Sequence, residues 1–220
     1  MRKWFLILAA ASLAAGCAVK HDPPVTDEQI ANAVYRHNGP NELTLFTMIN
    51  NQNGSGAHTS LMINASQRVI FDPAGSFRDP KIVARNDVVY GVTPYLEDVY
   101  TRFHARQTYH VVIQRMPVSP EVAELALRLA QSKGEVVDGR CAASTSEILA
   151  QLPGLNVVPS ISPKKVMAQF GQVPTVSTRS LYEYDDEDRF SALRDYDPDA
   201  AKASFKRMQD RKQVKAPYTY

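Results

Sequence analysis

The chain reads as an α+β protein in which a small antiparallel sheet packs against a helix that begins at a cysteine. Three observations carry that reading. Residues 54–75 (GSGAHTSLMINASQRVIFDPAG) have the pattern of a β-hairpin: one run opens at His58, a second ends at Asp72, and the turn-type cluster Asn64-Ala65-Ser66 lies between them. Residues 42–49 (ELTLFTMI) and 107–114 (QTYHVVIQ) are short runs of β-branched and aromatic residues, which suit strands. Thr93-Pro94, Ser119-Pro120 and Ser162-Pro163 each place a capping side chain and a proline ahead of apolar residues, which marks a helix start.

The first sixteen residues lie outside that fold. Met1-Arg2-Lys3 is a positive n-region, and residues 4–11 form an apolar h-region too short to span a bilayer. Leu13-Ala14-Ala15-Gly16-Cys17 has small residues directly before a cysteine, like the bacterial lipobox, where the thiol is lipidated and the chain is cut before it. The other reading is an ordinary secretory signal with a chance cysteine. Ala18, rather than Asp, follows Cys17. By resemblance to lipoprotein sorting in bacteria with two membranes, that implies the outer membrane, facing the periplasm. Residues 17–26 form a polar tether with Pro23-Pro24, an extended spacer.

The domain spans residues 27–180. Residues 26–34 suit a short helix, with Thr26 as cap and Asp27 and Glu28 in the first turn. Asn38-Gly39-Pro40-Asn41 breaks the chain before the 42–49 strand, and the 50–56 loop (NNQNGSG) delivers it to His58. With a loop of residues 64–66, Ile63 pairs with Gln67, and His58 faces Asp72 on one side of the sheet. Residues 72–75 turn, 76–86 are irregular, and 87–92 (DVVYGV) read as a strand. In the helix over 93–105, Leu96, Val99, Tyr100 and Phe103 recur at helical spacing. In the one from Ser119, Val122, Leu125, Ala126 and Leu129 line one face up to Lys133-Gly134. Residues 135–140 are an extended entry to the cysteine helix, which stops at Pro153-Gly154. Another helix follows over 163–170. Residues 181–220, with YEYDDED at 182–188, read as a charged, solvated tail with a short helix over 198–211.

Charge and cysteine content narrow the function. Without Arg2 and Lys3 the mature chain has 23 basic residues, from 25, against 23 acidic ones. That balance lacks the basic footprint of nucleic-acid binding. Of the two cysteines, the lipid takes Cys17, which leaves Cys141 as a lone thiol in an oxidising compartment. A lone thiol there is either a buried small hydrophobe or a reactive group. At a helix start the unpaired N–H groups and the dipole favour the thiolate and can hold an oxyanion. His58 is the candidate base, and Asp72 the group that fixes its tautomer. His58 reads alternatively as a loop-edge histidine, and Asp72 as an Asp-Pro turn former, with Gln67 in its place as third residue.

No metal or other cofactor is expected. His104 and His110 are six apart, on a helix end and a strand, with no cysteine or carboxylate cluster at zinc spacing. Ser144, Thr145 and Ser146 read as helix surface, Tyr90 and Tyr109 as edges of the core. No Gly-x-Ser-x-Gly elbow marks a serine nucleophile.

A cysteine at a helix start, a histidine on a strand and a polar residue on the next match the layout of the papain fold. Here the order is His, Asp, Cys. Gly56-Ala57-His58-Thr59-Ser60, Arg68-Val69-Ile70-Phe71-Asp72 and Arg140-Cys141-Ala142-Ala143-Ser144 resemble the circularly permuted NlpC-like branch, related to lecithin–retinol acyltransferase. The resemblance covers about residues 42–170. It implies thiol chemistry on an amide or ester, with Cys141 as nucleophile, His58 as base and Asp72 as third residue. Arg140 stands where many members carry Asn, and Asp72 where the third residue is often His. With the envelope location, the implied substrate is an amide of cell-wall peptide. The alternatives are acyl transfer from a lipid ester, and a non-catalytic lipoprotein that binds wall peptide or a protein partner.

Overall fold

The computed structural model describes residues 25–184 and 187–200. The signal segment, Cys17 and the tether to residue 24 lie outside the described residues, as does the expected tail helix beyond residue 200.

The helix α1 (Asp27–Ala33) starts at a capping box: Thr26 accepts from the Gln29 amide, and the Gln29 side chain accepts from the Thr26 amide. The strands β1 (Glu42–Asn50), β2 (Gly56–Asn64), β3 (Arg68–Phe71), β4 (Ala84–Arg85), β5 (Val88–Val89), β6 (Tyr109–Pro117) and β7 (Ser177–Leu181) form one antiparallel sheet. Their order is β4-β5-β3-β2-β1-β6-β7. The remaining helices are α2 (Pro94–His104), α3 (Pro120–Ser132), α4 (Cys141–Leu149), α5 (Pro163–Gly171) and α6 (Ser191–Arg194). The fold is α+β with its sheet packed against the cysteine helix, and the three Ser/Thr-Pro starts cap α2, α3 and α5 as expected.

Both sheet faces are covered. Leu43 and Leu45 of β1 and Leu61 and Ile63 of β2 share a core with α3, α4 and α5. On the other face Phe46, Met48 and Met62 share a core with α2 and α6. This explains why β1 is an unbroken apolar and Thr run: seven consecutive residues are buried. A charged layer also lies on the α2 face. Glu97 of α2 accepts from Arg68 Nη2 of β3 at 2.5 Å and from Arg115 of β6, and Arg115 Nη1 also donates to Glu42 at 2.7 Å.

Three expectations are corrected. The hairpin closes on the pair Asn64 and Arg68, with Leu61 opposite Phe71, so the loop is 65–67. Asn64 stays in the strand because its Nδ2 donates to the Pro40 carbonyl at 2.6 Å, while Asn41 Nδ2 donates to its own carbonyl at 3.2 Å. In this register Ser60, not His58, faces Asp72, and His58 is the diagonal neighbour on the same side. The expected 87–92 strand is only Val88–Val89. It pairs with β4 through Asn86-Asp87, both at positive φ (50° and 62°), as a two-residue primed turn needs. Finally, the stretch from residue 181 is not simply a solvated tail: Leu193 and Tyr196 are buried on the α2 face, and just before it β7 pairs with β6. Lys81 Nζ fixes that segment by donating to the carbonyls of Leu193, Arg194 and Tyr196 at 3.2, 3.4 and 2.8 Å. The β7 sequence STRSL has no apolar alternation, so only its backbone ladder makes it a strand.

Candidate functional site

The site forms where β2 loses a neighbour. β3 ends at Phe71, but β2 runs back from Leu61 to Gly56. The β2 edge is therefore unpaired beside Thr59, and the start of α4 fills that place. Cys141, the first residue of α4, receives hydrogen bonds at its sulfur from the amides of Thr59 and Ala142 and from His58. α4 belongs to one core: Ala142, Ile148 and Leu149 pack with Leu45 and Leu61. His58 pairs with Met48, a residue of the opposite core. The cysteine and the histidine thus come from opposite layers and meet at the sheet edge.

His58 Nε2 lies 2.7 Å from Asp72 Oδ1. Nδ1 is left for the thiol. Tyr100 of α2 puts its hydroxyl 2.8 Å from the same Asp72 oxygen and 2.6 Å from Ser60 Oγ. A carboxylate only accepts, so Tyr100 donates to Asp72 and Ser60 donates to Tyr100. Gly75 completes the seat: a Cβ there would lie 1.7 Å from Asp72 Oδ2. The Asp87 carboxylate joins the two sides, accepting from the amides of Ala74 at 3.2 Å and Val136 at 2.8 Å. It thereby links the turn after Asp72 to the loop that leads into Cys141.

These contacts set the charges. Burial alone would lower the His58 pKa, but the Asp72 charge and hydrogen bond, with the bond to Cys141, raise it to about 10. Burial pushes the Cys141 thiol up, but the hydrogen bond and charge of His58 and the two amides outweigh it and hold the thiol below its ordinary value. Burial raises Asp72, but the charge and hydrogen bond of His58 bring it below the usual carboxylate range. Burial and the Asp72 charge raise Tyr100 well above its ordinary value, which keeps it a donor. The two shifts act in the same sense: each favours the charged form of its group, thiolate on Cys141 and imidazolium on His58.

His104 stacks on His58, with ring centres 5.9 Å apart and planes at 16°. Its Nδ1 lies 2.9 Å from the Tyr100 carbonyl and donates to it. Burial lowers its pKa from 6.5 to about 4, so the ring is neutral. Between these values the unfolded chain binds the proton first, so stability falls as the pH drops from about 6.5 towards 4. His104→Asn is expected to flatten that fall between about pH 6.5 and 4.5, measured by urea unfolding at each pH. An unchanged slope would contradict a neutral His104.

His104 and His110 do not meet: His110 bonds Asn51 Oδ1 at 2.7 Å and stacks on Tyr182. The ligand atoms of His58, Asp72 and His104 all lie within 4.8 Å of one another. The 2.7 Å His58–Asp72 contact is shorter than the roughly 3.3 Å that separates two ligands on a tetrahedral zinc, so it is a hydrogen bond. Gln67 sits in the hairpin loop, at the far end of β3 from Asp72. Ser144, Thr145 and Ser146 are buried rather than surface, because α4 is wedged between the sheet, α3 and α5. Ser146 Oγ accepts from the Ser160 amide at 2.9 Å. Tyr90 is buried, and Tyr109 lines a cavity of about 400 Å³ that shares His58 with the pair.

Sequence reasoning brought together Cys141, His58 and Asp72, but missed Tyr100, Ser60, Gly75 and Asp87. Tyr100 carried one usable signal: a tyrosine in an apolar helix stripe buries a hydroxyl that needs a partner. No family model, curated protein or solved structure matches the chain.

Proposed function

We propose that the protein is a lipid-anchored envelope thiol hydrolase that cleaves an amide bond of cell-wall peptide, on a permuted papain-like fold. The observation that carries this reading is the Cys141–His58–Asp72 chain of contacts, with the thiol held below its ordinary pKa and the imidazole above its own. The envelope location rests on the lipobox at Cys17. Among the described residues no helix is long and apolar enough to cross a membrane.

The geometry supports a two-step reaction. The Cys141 thiolate attacks the carbonyl carbon, and the carbonyl electron pair moves to oxygen beside the first-turn amides of α4. The His58 imidazolium gives its proton to the leaving nitrogen as the C–N bond breaks. A thioester remains on Cys141. Neutral His58 then takes a proton from water, whose oxygen attacks the thioester; the C–S bond breaks, a carboxylic acid leaves, and the Cys141 thiolate is restored beside the His58 imidazolium. Asp72 stabilises the imidazolium and fixes its ring throughout, and Tyr100 positions Asp72.

The test is to incubate the full chain with muropeptides and follow both the fragments and the mass of the Cys141 peptide. Amide cleavage with a transient thioester on Cys141, absent in Cys141→Ala, is the expected result. Transfer of the acyl group to an added alcohol in preference to water would make the protein an acyltransferase. Binding without cleavage or acylation would make it a non-catalytic wall-binding lipoprotein.

A further inference from the structure

The cavity beside His58 contains a cation that nothing else in the site uses. Its walls include His58, His104, Phe103, Ser76, Glu187 and Arg189. The Arg189 guanidinium carbon lies 5.2 Å from the centre of the Phe103 ring and 5.3 Å from that of Phe190. The two rings meet edge to face, 5.6 Å apart at 81°. Arg189 Nη1 donates to Ser76 Oγ at 2.9 Å, a neutral partner. No described carboxylate forms an ion pair with Arg189, although Glu187 shares the cavity wall. The other cavity arginine differs, because Arg106 is paired with Glu183 at 3.3 Å.

Arg189 is therefore oriented by two aromatic rings and one hydroxyl, and among the described residues most of its five N–H donors have no acceptor and its charge has no ion-pair partner. Arginine side chains on a surface normally lie loose. One stacked in place at the wall of a cavity, with a fixed donor fork, has already given up the freedom that binding an anion takes from it. The cavity reaches the reacting pair through His58, the one residue common to both.

We infer that this cavity is a substrate subsite and that Arg189 binds a carboxylate carried by the substrate at a fixed distance from the scissile bond. This rests on the hydrolase reading and names its substrate class: an amide whose acyl or amine portion bears a free carboxylate. A planar carboxylate matches the guanidinium fork with two parallel hydrogen bonds.

The test needs no natural substrate. Bromoacetylated ω-amino acids, from glycine to 6-aminohexanoic acid, alkylate a thiolate by displacing bromide and differ in how far the carboxylate lies from the reacting carbon. Each is paired with its carboxamide, and glutathione corrects for intrinsic reactivity. Rates are read on the full chain at the Cys141 peptide by mass spectrometry. At one spacer length the carboxylate is expected to react about tenfold faster than its carboxamide. The preference should fall to about one in Arg189→Gln, persist in part in Arg189→Lys, and weaken with added salt. A ratio near one at every length, or a preference that survives Arg189→Gln, would overturn the subsite. Failure of the hydrolase reading looks different: alkylation by the neutral carboxamides would then not depend on His58.

Discussion

Gly75→Ala is expected to uncouple His58 from Cys141 while leaving both residues in the chain. The new Cβ would lie 1.7 Å from Asp72 Oδ2, 2.2 Å from its Cγ and 2.7 Å from Oδ1. Such overlap is cheap only against a side chain free to swing away. Asp72 is short, 4 % exposed, and held on Oδ1 by His58 and Tyr100. The turn cannot easily yield either, because Gly75 N–H donates to the Asp72 carbonyl at 3.0 Å and Ala74 N–H to Asp87. The carboxylate must rotate off His58. The imidazolium then loses its main stabilising charge, and Cys141 loses the cation that depresses its pKa. The midpoint of thiol alkylation should rise towards the free-thiol value of about 8.5. An unshifted midpoint in a folded Gly75→Ala protein would show that Asp72 does not hold His58.

The largest expected loss of stability lies on α2, at Glu97. Glu97 is the partner of Arg68 Nη2 and also binds Arg115, which keeps Glu42 as a second partner. Arg68 is only 3 % exposed, and among the described residues its Nε and Nη1 have no hydrogen-bond partner. Glu97→Ala therefore leaves a buried guanidinium with no counter-charge, at a cost of about 3–5 kcal/mol. The urea midpoint should fall accordingly, with little change in slope. Because α2 carries Tyr100 and His104, the loosened helix should also raise the midpoint of Cys141 alkylation. A loss under about 1 kcal/mol would mean that water reaches Arg68 and that the pair is not buried in solution.

What the sequence showed was local. Cap-proline pairs define helix starts within four residues, and three of them stand where the structure starts α2, α3 and α5. The hairpin was visible from its turn cluster. Its register was not, because Asn64 is held in β2 by residues 40 and 41, more than twenty positions away. The one-pair shift still left His58 and Asp72 on one face, since it slides one strand past the other by two residues, a full side-chain period. The supporting residues were hidden for different reasons. Tyr100 looks like one more member of an apolar stripe, and Gly75 looks like an ordinary turn residue after Asp72-Pro73. Ser144, Thr145 and Ser146 look solvated because composition cannot show that α4 is packed on several sides. β7 is polar up to its last residue, Leu181, so periodicity had nothing to register.

A thiolate at Cys141, sustained by His58, underlies the proposed reaction. It is tested most directly by the rate of Cys141 alkylation with iodoacetamide across pH, in the wild type and in His58→Ala, read at the Cys141 peptide. A depressed thiol pKa means that thiolate is present above it and is lost as the pH falls through it. The wild type should therefore stay reactive well below about pH 8.5. A second change is expected near pH 10, where the His58 imidazolium gives up its proton. In His58→Ala the low-pH reactivity should vanish and the midpoint should move to about 8.5 or above, since burial still penalises the thiolate. A wild-type thiol that reacts only at alkaline pH, with a profile that His58→Ala leaves unchanged, would contradict the account.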